Sequence, residues 1–282
     1  MAYLIDGKRI AQEIKDELKD KVAALKAQGK SGTLVVIQVG SDPASSVYVR
    51  NKKAACAYIG IDSISHELPE DTTEEALLTL ISELNQKPEV KGILVQLPIP
   101  KHMDENKVIC AISPEKDVDG FSPKSVGALV IGQKGFVSCT PAGIIELLVR
   151  AKLPDFSIEG KHCVIVGRSN IVGKPMALLM LRENATVTIA HSKTKNLPAL
   201  CTQADILIVA MGKPGFIGAE YVKEGAVVID VGIHRKEDGK LCGDVRFREV
   251  EQKAFAITPV PGGVGPMTIA MLMKNCVESI EV

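Results

Sequence analysis

Apolar positions fall along the chain in two alternating patterns, short unbroken runs and longer stretches with helical spacing. The run Thr33–Val39 (TLVVIQV) has the length and β-branched content of a buried strand, and Ile61–Leu68 and Lys91–Gln96 (KGILVQ) predict two more. Stretches with helical spacing precede and separate them. One covers about Ile10–Gln28; a second runs from an Asp42 cap and a first-turn Pro43 to about Tyr58. A third follows the capping box Thr72-Thr73-Glu74-Glu75 and ends near Asn85. The prolines of Leu97-Pro98-Ile99-Pro100 then forbid continuation of either element. Strands alternating with helices predict a parallel sheet with right-handed crossovers.

The alternation resumes after Thr140-Pro141, a cap-plus-proline pair that predicts a helix over Ala142–Ala151. Strands are expected at Cys163–Val166, Thr186–Ala190, Asp205–Ala210, Ala226–Val231 and Phe255–Ile257, with helices at Lys174–Glu183 and from about Leu197. That succession is a doubly wound nucleotide-binding domain. A last helix, from Pro266 to about Ser279, is surplus to this second sheet and is expected to pack on the first domain. The fold class is therefore α/β with two domains: 1–140 joined by the C-terminal helix 266–282, and a Rossmann-like domain with a mostly parallel sheet at 141–265.

A length of 282 residues agrees with two domains. Lys+Arg and Asp+Glu balance at 34 each, so no bulk field favours nucleic acid or an anionic membrane. The seven cysteines are odd in number and form no C-x-x-C pair, which argues against a disulfide framework or a zinc site. No metal site is expected. The N-terminal stretch reads as an amphipathic helix rather than a targeting peptide, and no apolar stretch approaches a membrane span. A cytoplasmic protein is expected.

Candidate chemistry lies in a few stretches. Val164–Met180 (VIVGRSNIVGKPMALLM) reads as strand, tight turn and helix, an arrangement that offers backbone N–H groups to a phosphate, although Gly167 and Gly173 do not match G-x-G-x-x-G. The second strand of this fold normally ends in an acid that takes the ribose hydroxyls. Here it ends in His191-Ser192-Lys193-Thr194, and Arg168 stands in the turn, which favours a ribose 2′-phosphate and hence NADP. Tyr48 and Lys52, four apart, project from one helix face; they read either as a phenol beside an amine suited to proton transfer or, with Arg50, Asn51 and Lys53 beside them, as decoration of a solvated surface. Gln96 ends a predicted parallel strand, where ligands usually bind. Asp117 and Asp119 lie in a turn, Pro114–Gly120, that lacks the ligand spacing of a calcium loop. Pro259–Pro266 (PVPGGVGP) reads either as a backbone platform for a flat ligand or as a linker.

Taken together and in order, YVRNK, VQLPIP, KDVDGF, GRSNIVGKP, HSKT and TPVPGGVGPMT resemble the bifunctional methylenetetrahydrofolate dehydrogenase/cyclohydrolase family over nearly the whole chain. The resemblance implies a homodimeric two-domain enzyme that binds tetrahydrofolate derivatives in the interdomain cleft. It would oxidise 5,10-methylene-tetrahydrofolate with NADP and hydrolyse the methenyl product to 10-formyl-tetrahydrofolate. By similarity Lys52 is the acid/base group, Tyr48 packs on or bonds the folate, Gln96 orients Lys52, and Asp119 holds the pterin. Val95 and Leu97 would flank Gln96 in the folate site, which Pro261, Gly262, Gly263, Val264 and Gly265 would line. Gly167, Arg168, Ser169, Ser192 and the backbone around Ile233 would contact the cofactor. Two positions depart from the family's pattern: His234, where asparagine is more common, and Ile99 in place of leucine. A hydroxy-acid dehydrogenase on a similar scaffold would have no need of the PGGVGP platform, and a nucleotide-sensing scaffold would have no need of Lys52, Gln96 and Asp119.

Overall fold

The computed structural model describes residues 2–281, the side chains of Pro43 and Ala44 excepted. The chain divides into two compact units: Gln12–Val137 with the residues from Ile269 onward, and the residues up to Ala11 with Ser138–Thr268.

The chain opens with β1 (Tyr3–Leu4) and α1 (Gly7–Ala27). There follow β2 (Thr33–Val39), α2 (Pro43–Ile59), β3 (Asp62–Leu68), α3 (Glu74–Gln86) and β4 (Val90–Val95). The strands form a parallel sheet in the order β3-β2-β4. β2 and β4 are apolar and buried, whereas β3 is polar and lies at the edge. Asp42 caps α2 by accepting from Ser45 N at 2.7 Å, and Thr73 caps α3 by accepting from Ala76 N. Two short helices not anticipated from the sequence follow, α4 (Glu105–Ala111) and α5 (Pro123–Val130). At seven and eight residues they span about two turns, too few for a helical period to stand out.

The second unit contains α6 (Cys139–Arg150), β5 (His162–Val166), α7 (Gly173–Arg182), β6 (Thr186–Ala190), α8 (Leu197–Cys201), β7 (Ile206–Val209) and β8 (Val227–Asp230). A small hairpin of β9 (His234–Arg235) and β10 (Leu241–Cys242) leads to α9 (Phe247–Val250), β11 (Ala256–Ile257) and α10 (Val264–Glu281). The sheet runs β1-β11-β8-β7-β5-β6, with every pairing parallel. Its central strands β5, β7 and β8 are almost entirely buried, as expected where helices cover both faces.

Three boundaries differ from the sequence reading. The first residues do not group with the rest of 1–140: Tyr3 N donates to Phe255 O at 2.7 Å and Ile5 N to Ile257 O at 2.9 Å, adding β1 to the larger sheet. A two-residue strand carries no periodicity that would have announced it. α6 starts at Cys139, because the Thr140 hydroxyl bonds that of Thr268 instead of capping. α10 starts at Val264, with Gly265 and Pro266 inside its first turn, where a proline's missing N–H costs nothing.

One side chain closes the end of α3. Lys116 Nζ donates to the carbonyls of Leu84, Asn85 and Lys87 at 3.0, 2.7 and 2.7 Å, placing a cation at the helix C-terminus, where Leu84 O and Lys87 O also accept from Lys87 N and Val90 N. Lys116→Met is therefore expected to destabilise the protein by about 1–3 kcal/mol, measured by urea unfolding. A loss below about 0.5 kcal/mol would show that water replaces the ammonium without cost.

Candidate active site

Lys52 lies in the middle of α2, and its chain is only 7% exposed. A buried ammonium needs an acceptor, and Lys52 Nζ donates to Gln96 Oε1 at 2.9 Å. Gln96 follows the last residue of β4. Its backbone N–H continues the sheet by donating to Ile37 O at 2.8 Å, and its Nε2 donates to Leu97 O at 2.7 Å. The second bond fixes which end of the amide faces Lys52. Tyr48, one turn before Lys52, is half-buried, and burial raises its phenol above the ordinary tyrosine range, so it stays neutral.

Asp119 lies in the loop before α5 and, with Val95, Leu97, Asp117 and Phe121, lines a small cavity at the end of β4. The two aspartates of this loop have different surroundings. Asp117 is buried and accepts from Phe121 N, Ser122 N and the Ser125 hydroxyl at 3.1, 2.8 and 2.8 Å, so it holds the turn. Asp119 is half-buried beside the cavity. Between them, Val118 O accepts from the buried Asn275 Nδ2 of α10 at 2.8 Å. The charges of Asp119 and Lys52 both reach Cys276 on α10, whose thiol is raised well above its ordinary range, chiefly by burial. Tyr48, Lys52, Val95, Gln96, Leu97 and Asp119 thus all belong to one unit. Sequence reasoning had not separated the two aspartates by environment, and it missed Ser122, Ser125 and Asn275, which fix the loop.

The other candidate residues belong to the unit of the larger sheet. Gly167 ends β5 with φ +142°, and a Cβ there would strike Ala210 O at the end of β7; a Cβ on Gly173 would strike Gly167 O. The spacing that misses the common fingerprint is therefore the one that closes this loop on itself. The Ser169 hydroxyl accepts from Val172 N and Gly173 N at 3.1 and 3.3 Å, so it already occupies amides that open α7. Arg168 and Ser192 are exposed, each two residues beyond the register pair Val166 and Ala190 of adjacent strands. His191 and Thr194 fold the second loop: Thr194 Oγ1 accepts from His191 N at 2.9 Å, and His191 O accepts from Thr194 N at 2.8 Å. A closed glycine loop beside an exposed cation and hydroxyl fits a phosphorylated dinucleotide. Pro261–Gly265 form a turn leading into α10, with Gly262 O accepting from Lys8 N at 3.0 Å.

Ile233, 45% exposed, stands in the loop after β8. Around it is a network that sequence reasoning overlooked. Asp230 and Asp244 are both buried; burial, opposed by hydrogen bonds from Val245, Asp244 and Gly232 and reinforced by the charge of Asp244, pushes the Asp230 carboxyl up to about 6. The available signal was an acid closing the apolar run VVID, since a carboxylate so placed must find partners. Among the described residues no group of three His, Cys, Asp or Glu is arranged to hold a metal ion, and no helix is long and apolar enough to cross a membrane.

Comparison with known proteins agrees with this division of labour. Residues 5–119 match the tetrahydrofolate dehydrogenase/cyclohydrolase catalytic domain, and residues 138–282 match the NAD(P)-binding domain of the same family. The bifunctional protein FolD of Agathobacter rectalis is 68% identical over 281 residues, covering 100% of both chains. Among solved structures, the FolD methylenetetrahydrofolate dehydrogenase/cyclohydrolase of Campylobacter jejuni superposes with a TM-score of 0.96 at 48% identity, covering 100% of this chain and 99% of that one. The FolD of Trypanosoma brucei, complexed with NADP cofactor and inhibitor, gives 0.94 at 39% identity, covering 99% and 97%. The chain therefore belongs to the tetrahydrofolate dehydrogenase/cyclohydrolase family and is a bifunctional enzyme with both activities.

Proposed function

We propose that the protein oxidises 5,10-methylene-tetrahydrofolate with NADP and hydrolyses the methenyl product to 10-formyl-tetrahydrofolate, with Lys52 as the acid/base group of the second step. The hydrogen bond from the buried Lys52 to the half-buried Gln96 carries this reading. Bound NADP supplies the acceptor for a hydride leaving the methylene carbon. That step needs no proton transfer from protein, so the chain's task there is positioning and exclusion of water. Hydrolysis does need one. Water adds to the methenyl carbon and loses a proton; the bond from that carbon to N5 then breaks, and N5 takes up a proton. An amine at the site can relay both protons. Gln96, fixed by Leu97 O, holds the Lys52 amine in one direction. Asp119 offers carboxylate oxygens for the N–H groups of the pterin, and Tyr48 offers a neutral ring and hydroxyl for packing or hydrogen bonding.

On this reading Lys52→Met lowers methenyl hydrolysis by at least about 100-fold and dehydrogenation by much less. Methenyl absorbance followed with and without the nicotinamide cofactor separates the two. A variant that hydrolyses the methenyl compound normally would remove Lys52 from its role.

The cofactor loops belong to the same proposal. Arg168 and Ser192, beyond paired strand ends, favour a 2′-phosphate, and the Trypanosoma brucei relative is a complex with NADP. Steady-state kcat/KM is expected to favour NADP over NAD by about tenfold or more, and Arg168→Ala to lower the NADP value by roughly 10- to 100-fold, as for loss of a charge-assisted bond, with NAD nearly unaffected. A clear preference for NAD would show that these loops do not read the phosphate.

A cytoplasmic homodimer completes the proposal. Scattered cysteines in odd number suit a reducing compartment. β6 pairs only with β5 and leaves an open sheet edge, with Ile189 and the nearby helical Leu181 39% and 61% exposed. Sedimentation equilibrium is expected to give the mass of two chains, and a single-chain mass at micromolar concentration would refute it.

A further inference from the structure

Two buried carboxylates tie together four segments, three leaving the larger sheet and one following the β9–β10 hairpin. Asp244 is fully buried. Its Oδ2 accepts from Met211 N and Gly212 N at 2.8 and 2.9 Å, and its Oδ1 from Lys213 N at 2.7 Å, so one carboxylate gathers three consecutive amides of the loop after β7. The same Oδ1 lies 2.7 Å from His234 Nε2 in the loop after β8. An oxygen of an ionised carboxylate only accepts, so the imidazole N–H donates. Asp230, at the end of β8, accepts from Gly232 N, Asp244 N and Val245 N, each at 3.0 Å, and its own N–H donates to Thr258 Oγ1 beyond β11 at 2.8 Å. The β9–β10 hairpin pairs His234 with Cys242, which sets Asp244 two residues farther on across from the imidazole.

The fit leaves no room. A Cβ on Gly232 would lie 2.6 Å from the Asp244 carboxyl carbon, and a Cβ on Gly243 would strike the Asp230 carboxylate. The network also touches the glycine loop, since Gly167 packs on Ala210 immediately before the amides that Asp244 gathers. The loops after β5, β7, β8 and β11 follow the carboxyl ends of adjacent parallel strands, where open α/β sheets bind their ligands.

We propose that His234 and Asp244 are positioning residues for the dinucleotide: their hydrogen bond locks the loop 231–234 against the loop 211–213 and so presents the backbone around Ile233 in its binding conformation. This rests on the reading that the Ile233 loop meets the cofactor. The histidine is well suited to the task, because Nε2 reaches the carboxylate from the hairpin while the ring stays at the protein surface, its side chain 23% exposed. Order present before binding is order the ligand need not impose.

The test uses the full-length protein without and with NADP. His234→Ala is expected to weaken NADP binding about tenfold by calorimetry and to speed amide exchange at 211–213 and 232–234 in the absence of cofactor, while methenyl hydrolysis stays within about twofold of the unaltered protein. His234→Gln, whose Nε2 reaches nearly as far, should restore both affinity and protection. Asp244→Asn, which retains acceptor capacity for only part of the set, should lose more affinity than His234→Ala. Unchanged NADP affinity in His234→Ala would overturn the proposal, as would weakened affinity with unchanged amide exchange, which would mean that the ring contacts the cofactor itself. Ile233→Glu separates the two levels. If it weakens NADP binding while His234→Ala does not, positioning alone fails; if Ile233→Glu binds NADP normally, the reading of the loop fails and the proposal with it.

Discussion

Parallel pairing of strands that are buried on both faces is the constraint from which the cofactor-side geometry follows. β5, β7 and β8 expose almost no side chain, and each is held in register with its neighbour over four or five residues. Because all run the same way, the loops after them emerge along one edge of the sheet, which places Gly167 against Ala210 and Arg168 near Ser192. A slip of one residue in β5 or β6 would exchange inward and outward faces and separate those pairs. Charge and hydrogen-bonding capacity at this edge are thus consequences of core packing elsewhere.

The catalytic unit applies the same geometry with a different emphasis. β4 delivers Gln96 as its first residue beyond the strand, and α2 delivers Lys52 from the side. A lysine so buried needs an acceptor, and Gln96 Oε1 accepts its hydrogen bond. Gln96 is in turn held at both ends, by Ile37 O through the backbone and by Leu97 O through the amide. The loop carrying Asp119 is fixed independently, from within by Asp117 and from α10 by Asn275. Lys52 and the loop of Asp119 are thus each fixed by a separate set of hydrogen bonds.

What the sequence disclosed and what it concealed divide along a physical line. Thr33–Val39 is read correctly to the residue because a seven-residue run rich in β-branched residues is too short for a buried helix and fits a strand. The cap at Asp42 and the helix after it are equally local signals. By contrast, β1, α4 and α5 are too short for periodicity, and β1 exists only because Phe255 and Ile257 offer it a ladder some 250 residues away, roughly the length of the chain. The site behaves likewise. Helical spacing and a polar residue at a strand end marked Tyr48, Lys52 and Gln96 as candidates, and the family resemblance alone gave them roles. Nothing in the string KDVDG distinguishes an aspartate that holds a turn from one that faces a cavity. Ser138 shows the limit again: it precedes α6 as a cap should, yet its hydroxyl donates to Ile171 O.

The buried acids raise a question of economy, since a carboxylate without water is costly. The loops after β7 and β8 leave the sheet and do not continue its backbone pairing. Their amides still require acceptors once they leave the sheet. An amide side chain offers one acceptor oxygen and a hydroxyl one, whereas a carboxylate offers two oxygens and about four lone-pair sites. Asp244 uses that capacity on three amides and an imidazole, and Asp230 uses it on three amides. Burial pushes the Asp230 carboxyl up to about 6 even though the three amides it accepts from draw it down. Acids stand where the hydrophobic pattern alone would place valines because they supply the acceptors that backbone leaving the sheet requires.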